Sequence, residues 1–255
     1  MNQSYNNFDN EKDNYNFNAL NLDPIDMTRN YSNQVKQIIQ ESEVVNKSFL
    51  FMGLALLLTA LSAITTANTN LVYDIIFGGS FAIYGILIAE LAIVFAATHA
   101  MRKNMLALSA VLFTLYSIIN GVTLSIIFLV YTQQSIMNVF IVTTIVFFIM
   151  ALIGLVTNVD LTKLGGILLM GLIGLIVASI SNIFFRNDSM DFIITIIGIG
   201  IFMGLTAYDM QKIKRMQYEN PGYSANVLAL YGAMHIYLDF INLFLKLLRL
   251  MGKKR

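Results

Sequence analysis

Beyond residue 47 the chain is a succession of seven long apolar runs, approximately 48–67, 75–99, 105–130, 136–156, 164–184, 192–209 and 227–250, parted by short polar breaks. A helix needs about 20 apolar residues to cross a hydrocarbon core of about 30 Å, and each run approaches that length. None alternates polar and apolar residues as the strands of a membrane barrel must. The pattern predicts an all-α polytopic membrane protein with seven transmembrane helices over residues 48–252. Both prolines, Pro24 and Pro221, fall outside the runs, so no span is expected to carry a proline kink. Gly200 and Gly204 form a G-xxx-G pair in the sixth run, a spacing that permits close backbone approach.

Residues 1–47 are of another kind. Eleven are Asn, Asp9, Glu11, Asp13, Asp23 and Asp26 are scattered among them, and no apolar run occurs. This reads as a disordered cytoplasmic tail. Between Gln34 and Lys47, Val35, Ile38, Ile39 and Val45 recur at roughly helical spacing beside Lys36, Glu41 and Glu43. That spacing predicts a juxtamembrane helix lying on the bilayer surface.

Composition removes several function classes. With 57% hydrophobic and 12% charged residues and a mean hydropathy of +0.69, the chain holds more apolar side chain than one soluble core could cover. A net charge of +1 offers nucleic acid no basic surface. The absence of cysteine excludes disulfides, thiol catalysis and thiolate metal sites. No phosphate-binding loop, nucleophile elbow or zinc motif is present, so neither an enzyme nor a cofactor is expected. The two histidines, His99 and His235, lack ligand spacing and read as structural.

Lysine and arginine set the expected orientation. Arg29, Lys36, Lys47, Arg102, Lys103, Lys163, Lys212, Lys214 and Arg215 fall on one side and Arg186 alone on the other, which places the N-terminus in the cytoplasm. Seven crossings then leave the C-terminus outside. There Lys253, Lys254 and Arg255 oppose the rule, so the last segment either emerges as a basic end or re-enters and returns.

Ionisable groups inside hydrocarbon are costly and turn toward cavities or partners. Three carboxylates qualify: Glu90, Asp209 and Asp239. In the last run Tyr231, His235, Asp239, Asn242, Lys246 and Arg249 succeed one another at intervals of three or four, forming one polar helix face. Such a face cannot meet lipid, so the seventh helix is expected at the centre of a six-helix bundle. Asp209 closes the sixth run, which should continue as helix to about Arg215 if its carboxyl is to reach the depth of Asp239. Two carboxylates in contact cannot both ionise easily and share a proton, which makes the pair a candidate pH sensor. The competing readings are Asp209 as an interfacial cap, Asp239 as a partner of His235, and Glu90 as a structural hydrogen-bond acceptor. Paired membrane aspartates also occur in intramembrane proteases. The Tyr-Leu-Asp-Phe setting of Asp239, with no proline after Pro221, departs from that pattern.

Three segments in order, "SIINGVTLSIIFLVYT" (117–132), "GLTAYDMQKIKRM" (204–216) and "LALYGAMHIYLDFINLFLKLLRLMG" (228–252), resemble the transmembrane Bax-inhibitor-motif family, especially its bacterial members. The similarity spans about residues 45–252. It implies a last helix surrounded by the other six in a bacterial inner membrane. It also implies a pH-sensitive calcium leak governed by aspartates that fall on Asp209 and Asp239. Calcium would be the transported ion, held only transiently at that pair. The family's second-helix pore glutamate falls on Glu90 in "IAELAIVF". Aligning on Glu90 places Met101 at the latch-arginine position and Arg102 one residue later, turned about 100° on an ideal helix. Some bacterial relatives instead modulate a membrane-bound AAA protease, a function of a different class that uses exposed loops and termini.

Overall fold

The computed structural model describes the backbone of residues 24–69 and 80–255. The acidic tail expected over residues 1–23 and the start of the second run at 75–79 lie outside the described residues. The chain divides into residues 1–39 and residues 40–255, and the membrane helices belong to the second unit.

The described elements are all helical: α1 (Pro24–Ala67), α2 (Ser80–Arg102), α3 (Leu106–Leu124), the single turn α4 (Ile127–Val130), α5 (Gln133–Val156), α6 (Thr162–Phe185), α7 (Asp188–Glu219) and α8 (Ala225–Met251). Seven segments are long and apolar enough to cross a membrane, the first being Ser42–Ala67 within α1 and the third joining α3 to α4. Residues 24–47, read in the sequence as the end of a tail with a separate surface helix, instead form one helix with the first span. No proline or glycine falls between Pro24 and Gly53 to interrupt it.

α8 is the centre. Of its most apolar stretch 78% is buried, against 6–39% for the other six spans. Its side chains Ala229, Ala233, Ile236, Tyr237 and Leu243 are wholly enclosed. Residues turned to lipid on the outer helices, such as Leu57, Phe95, Ile145 and Ile183, are exposed apolar side chains, as the bilayer requires. α6 is the least enclosed span, at 6%.

Short straps tie the loops into two faces. On one, Tyr223 Oη donates to the Arg102 carbonyl (2.8 Å), the Ser224 amide to Asn104 Oδ1 (3.1 Å) and Lys47 Nζ to Asn226 Oδ1 (2.7 Å). The same face holds the 157–161 loop against α7. Buried Gln211 donates to the Val159 carbonyl (2.8 Å) and accepts from the Leu161 amide (2.9 Å), while Arg215 pairs with Asp160 (3.2 Å). Hydrogen bonds from Thr162 and the nearby Arg215 guanidinium hold the Asp160 carboxyl below the usual carboxylate range. On the other face the C-terminal tail pairs with the turn after α4. The Thr132 amide donates to the Lys253 carbonyl (3.1 Å), the Arg255 amide to the Val130 carbonyl (3.0 Å) and the Lys253 amide to Ser135 Oγ (2.9 Å). α8 is unbroken from Ala225 to Met251, so the re-entrant alternative does not occur.

Helix α7 continues ten residues past Asp209 to Glu219, somewhat beyond the expected Arg215. That extension spans about 15 Å, and Asp239 lies about 21 Å into α8 from Ala225, so the two aspartates reach comparable depth. Close packing against α5 sets the position of α7. A Cβ on Gly154 would collide with the Ala207 backbone, its Cα and carbonyl carbon both at 2.9 Å. The Gly200–Gly204 pair is not a helix contact of this kind. A Cβ on Gly204 would stand 2.9 Å from the Leu168 side chain, and one on Gly200 would meet nothing within 4 Å.

Because the obstacle at Gly154 is backbone, Gly154→Ala should force α5 and α7 apart. The expected destabilisation is about 1–3 kcal/mol, read as a lower thermal unfolding midpoint of the purified protein in detergent. Gly200→Ala, where space is open, should leave the midpoint within error.

Candidate functional site: a carboxyl pair in a cleft with one polar wall

A cleft of about 750 Å³ lies between α6, α7 and α8, lined on the α8 side by His235, Asp239, Asn242 and Lys246 and on the α7 side by Asp209 and Lys212. α6 contributes mostly apolar residues, among them Leu169, Leu172 and Ile176. The polar residues line one wall because their spacing of three or four keeps them on one face of α8.

At one end Asp209 and Asp239 line the cleft together, their carboxyls near enough to act on each other. Both side chains are buried. His235 Nδ1 lies 3.4 Å from Asp209 Oδ2. Asp239 Oδ2 is enclosed and receives no N–H or hydroxyl donor among the described residues. A buried carboxylate oxygen without donors loses its hydration uncompensated. The His235 ring lies tilted against Tyr231, centroids 4.5 Å apart, and Lys212 Nζ sits 5.5 Å over the same Tyr231 ring. These groups place one imidazole and one ammonium at the end of the cleft toward the 103–105 and 220–224 loops.

Residues 41–255 match the family model described as inhibitor of apoptosis-promoting Bax1. The chain belongs to the Bax inhibitor-1 family. It is 41% identical to the inner membrane protein YbhL of Escherichia coli over 208 residues, 80% of this chain and 89% of YbhL. It is 39% identical to an uncharacterized protein of Borreliella burgdorferi over 233 residues, 91% of this chain and 99% of the relative. It is 40% identical to the uncharacterized protein RP147 of Rickettsia prowazekii over 213 residues, 82% of this chain and 89% of the relative.

Within this Bax inhibitor-1 chain the remaining expected site residues stand apart from the cleft. Arg102 makes no ion pair among the described residues; it is exposed and lines a small pocket with Lys212 and Tyr231. Met101, at the aligned latch position, is buried at 2% exposure, so the next residue on the helix turns its guanidinium outward. The contact to Asp209 comes from His235 instead. Glu90 does not line the cleft with the aspartates. It accepts a hydrogen bond from Thr123 Oγ1 (2.6 Å) and its charge is felt by Tyr116 and Tyr237, on the opposite side of α8.

That opposite side holds a network the sequence reading missed. The Tyr237 hydroxyl meets Thr59 Oγ1 at 2.6 Å, and Thr59 also reaches the carbonyls of Ala55 and Ser117, both at 2.9 Å. Tyr237 packs edge-on against Phe113 and Tyr116, and Asn120 donates to the Tyr116 hydroxyl (3.0 Å). One hydroxyl therefore joins α1, α3 and α8. Its only sequence signal was a Thr and a Tyr in apolar runs. A second missed contact is the Arg249–Asp191 ion pair at the far end of α8.

Thr59→Val orphans the buried Tyr237 hydroxyl and should cost about 1–3 kcal/mol. Tyr237→Phe removes the orphan, so the double variant should be less destabilised than the sum of the two singles, read as a thermal double-mutant cycle.

Proposed function

We propose that this protein is a pH-sensitive cation leak of the bacterial inner membrane, passing calcium along the cleft beside α8 and gated by the Asp209–Asp239 pair. The observation that carries the reading is the placement of two buried carboxyls from adjacent helices together in a cleft whose α8 wall is polar. With one shared proton, the hydrogen bond holds α7 to α8. Loss of that proton removes the bond and leaves two like charges in a medium of lowered dielectric, which drives the helices apart. The closed state then binds more protons than the open one, so rising pH favours opening. Protonating both carboxyls closes the path again by removing the negative charge that draws cations in. Calcium, which takes oxygen ligands, would bind only transiently at the separated carboxylates. No catalytic step and no resident cofactor are required.

The inner-membrane assignment is supported by the E. coli relative, named as an inner membrane protein, and by seven apolar spans among the described residues. The face carrying Lys103, Lys163, Lys212, Lys214 and Arg215 is assigned to the cytoplasm on the positive-inside rule. The basic C-terminal residues weigh less on the opposite face. Arg249 is paired with Asp191, and the tail is strapped to the turn at 130–132. Modulation of a membrane-bound protease remains the outcome if flux fails, since it needs loops and termini rather than the cleft.

The deciding measurement is calcium flux into liposomes holding the purified protein between pH 5 and 8. Wild type should show pH-dependent flux, and Asp209→Asn with Asp239→Asn should give a folded protein whose flux no longer follows pH. Persistence of the wild-type response in that double variant would move the titrating group to His235. Glu90→Gln, altered on the other side of α8, should keep the wild-type pH midpoint whatever its effect on amplitude.

Topology has its own check. A reporter active only in the cytoplasm and fused after Arg255 should stay silent, whereas activity would invert the assignment of faces.

A further inference from the structure

Seven residues beyond Asp239, about 10 Å along α8, the cleft wall carries a lysine. Lys246 does not leave the cleft for solvent at once. Its stem lies against α7 where Gly198 leaves room: a Cβ there would stand 3.0 Å from Lys246 Cε and 3.2 Å from Cδ. Lys246 lines the same cleft as the aspartates. Its nearest charges are Arg249 and Asp191, and these two are already paired with each other. Asp191 is thus engaged by Arg249, which acts on Lys246 more strongly than Asp191 does, and among the described residues the Lys246 ammonium has no carboxylate of its own in the half of the cleft away from the aspartates.

We propose that Lys246 is a tethered cation lying in the ion path, where it sets which ions pass and keeps the flux that of a leak. The proposal rests on the cleft being the conduction route. A fixed charge raises the energy of a passing ion in proportion to that ion's own charge, so a divalent cation meets twice the barrier of a monovalent one. Because rate depends exponentially on barrier, removing the ammonium should raise divalent flux by roughly the square of the monovalent factor. The glycine at 198 then has a purpose beyond packing, since a side chain there would push the stem out of its groove.

The native chain has no cysteine, so Lys246→Cys creates a single thiol that reagents modify alone. In liposomes at pH 7 this variant should pass potassium several-fold faster than wild type, and calcium faster by about the square of that factor. Treatment with an aminoethyl methanethiosulfonate, which returns an ammonium to the position, should restore both fluxes toward wild type. A methyl reagent of the same class should leave them raised. Because modified and unmodified samples share one folded protein, misfolding cannot mimic the result. Equal factors for the two ions, failure of the ammonium to restore block, or a thiol inert to both reagents would overturn the role of Lys246. If wild type shows pH-dependent flux and the Cys variant matches it, the leak stands and this inference alone falls. No flux from wild type or any variant would remove the leak and the inference together.

Discussion

Everything in this fold follows from the cost of presenting hydrogen-bonding groups to lipid. α8 carries His235, Asp239, Asn242 and Lys246 along one face and Tyr237 on the other, so no orientation of this helix leaves it an apolar exterior. Lipid offers no partners, and the helix can exist only with protein around it. Six spans with largely apolar outer surfaces supply that surround. Their own burial is slight because their task is to face lipid outward and close over α8 inward.

The two sides of α8 are satisfied in different ways, and the difference matters for motion. Tyr237, Thr59 and the carbonyls beyond them form neutral hydrogen bonds that no change near neutral pH disturbs. In the leak proposed above, the Asp209–Asp239 contact is the one that a proton would govern, so a shift in pH would act on the α7 side while α8 stays fixed to α1 and α3. α6 is the least enclosed span and packs on α7, so movement there disrupts few buried contacts.

The helix count and the central place of α8 were legible because both follow from the coarse physics of burial: run length for the spans, and a polar stripe with nowhere to go. The aspartate pair was legible for the same reason, since a carboxylate inside an apolar run is costly enough to stand out. Neutral hydroxyls are not. Thr59 resembles the many threonines that bond their own helix backbone, and only coordinates separate it from Thr65, which bonds Leu61 and Ser62 of the same helix. Glycine was misread in the same way. The pair at Gly200 and Gly204 had the familiar spacing, but the helix approach was made by Gly154, whose partner on α7 is fifty-three residues away in the chain. Direction around a helix was not legible either: depth and the family resemblance set Glu90 beside the aspartates, and its hydrogen bond to Thr123 shows it standing on the other side of α8.

The straps at the helix ends explain why a sub-ångström event such as proton loss could have a directed result. Gln211 and Arg215 tie α7 to the 157–161 loop only a few residues past Asp209. At the far end Arg249 of α8 holds Asp191 in the first turn of α7. A helix held at both ends cannot withdraw as a rigid rod. It can bow between its anchors or roll about its axis, and because Asp209 lies within a turn of the Gln211 strap, a roll moves its carboxyl further than a bow does. In the leak proposed above, that roll is the motion that would open the cleft at the carboxyls, while Lys246 stays near the anchored end at Asp191.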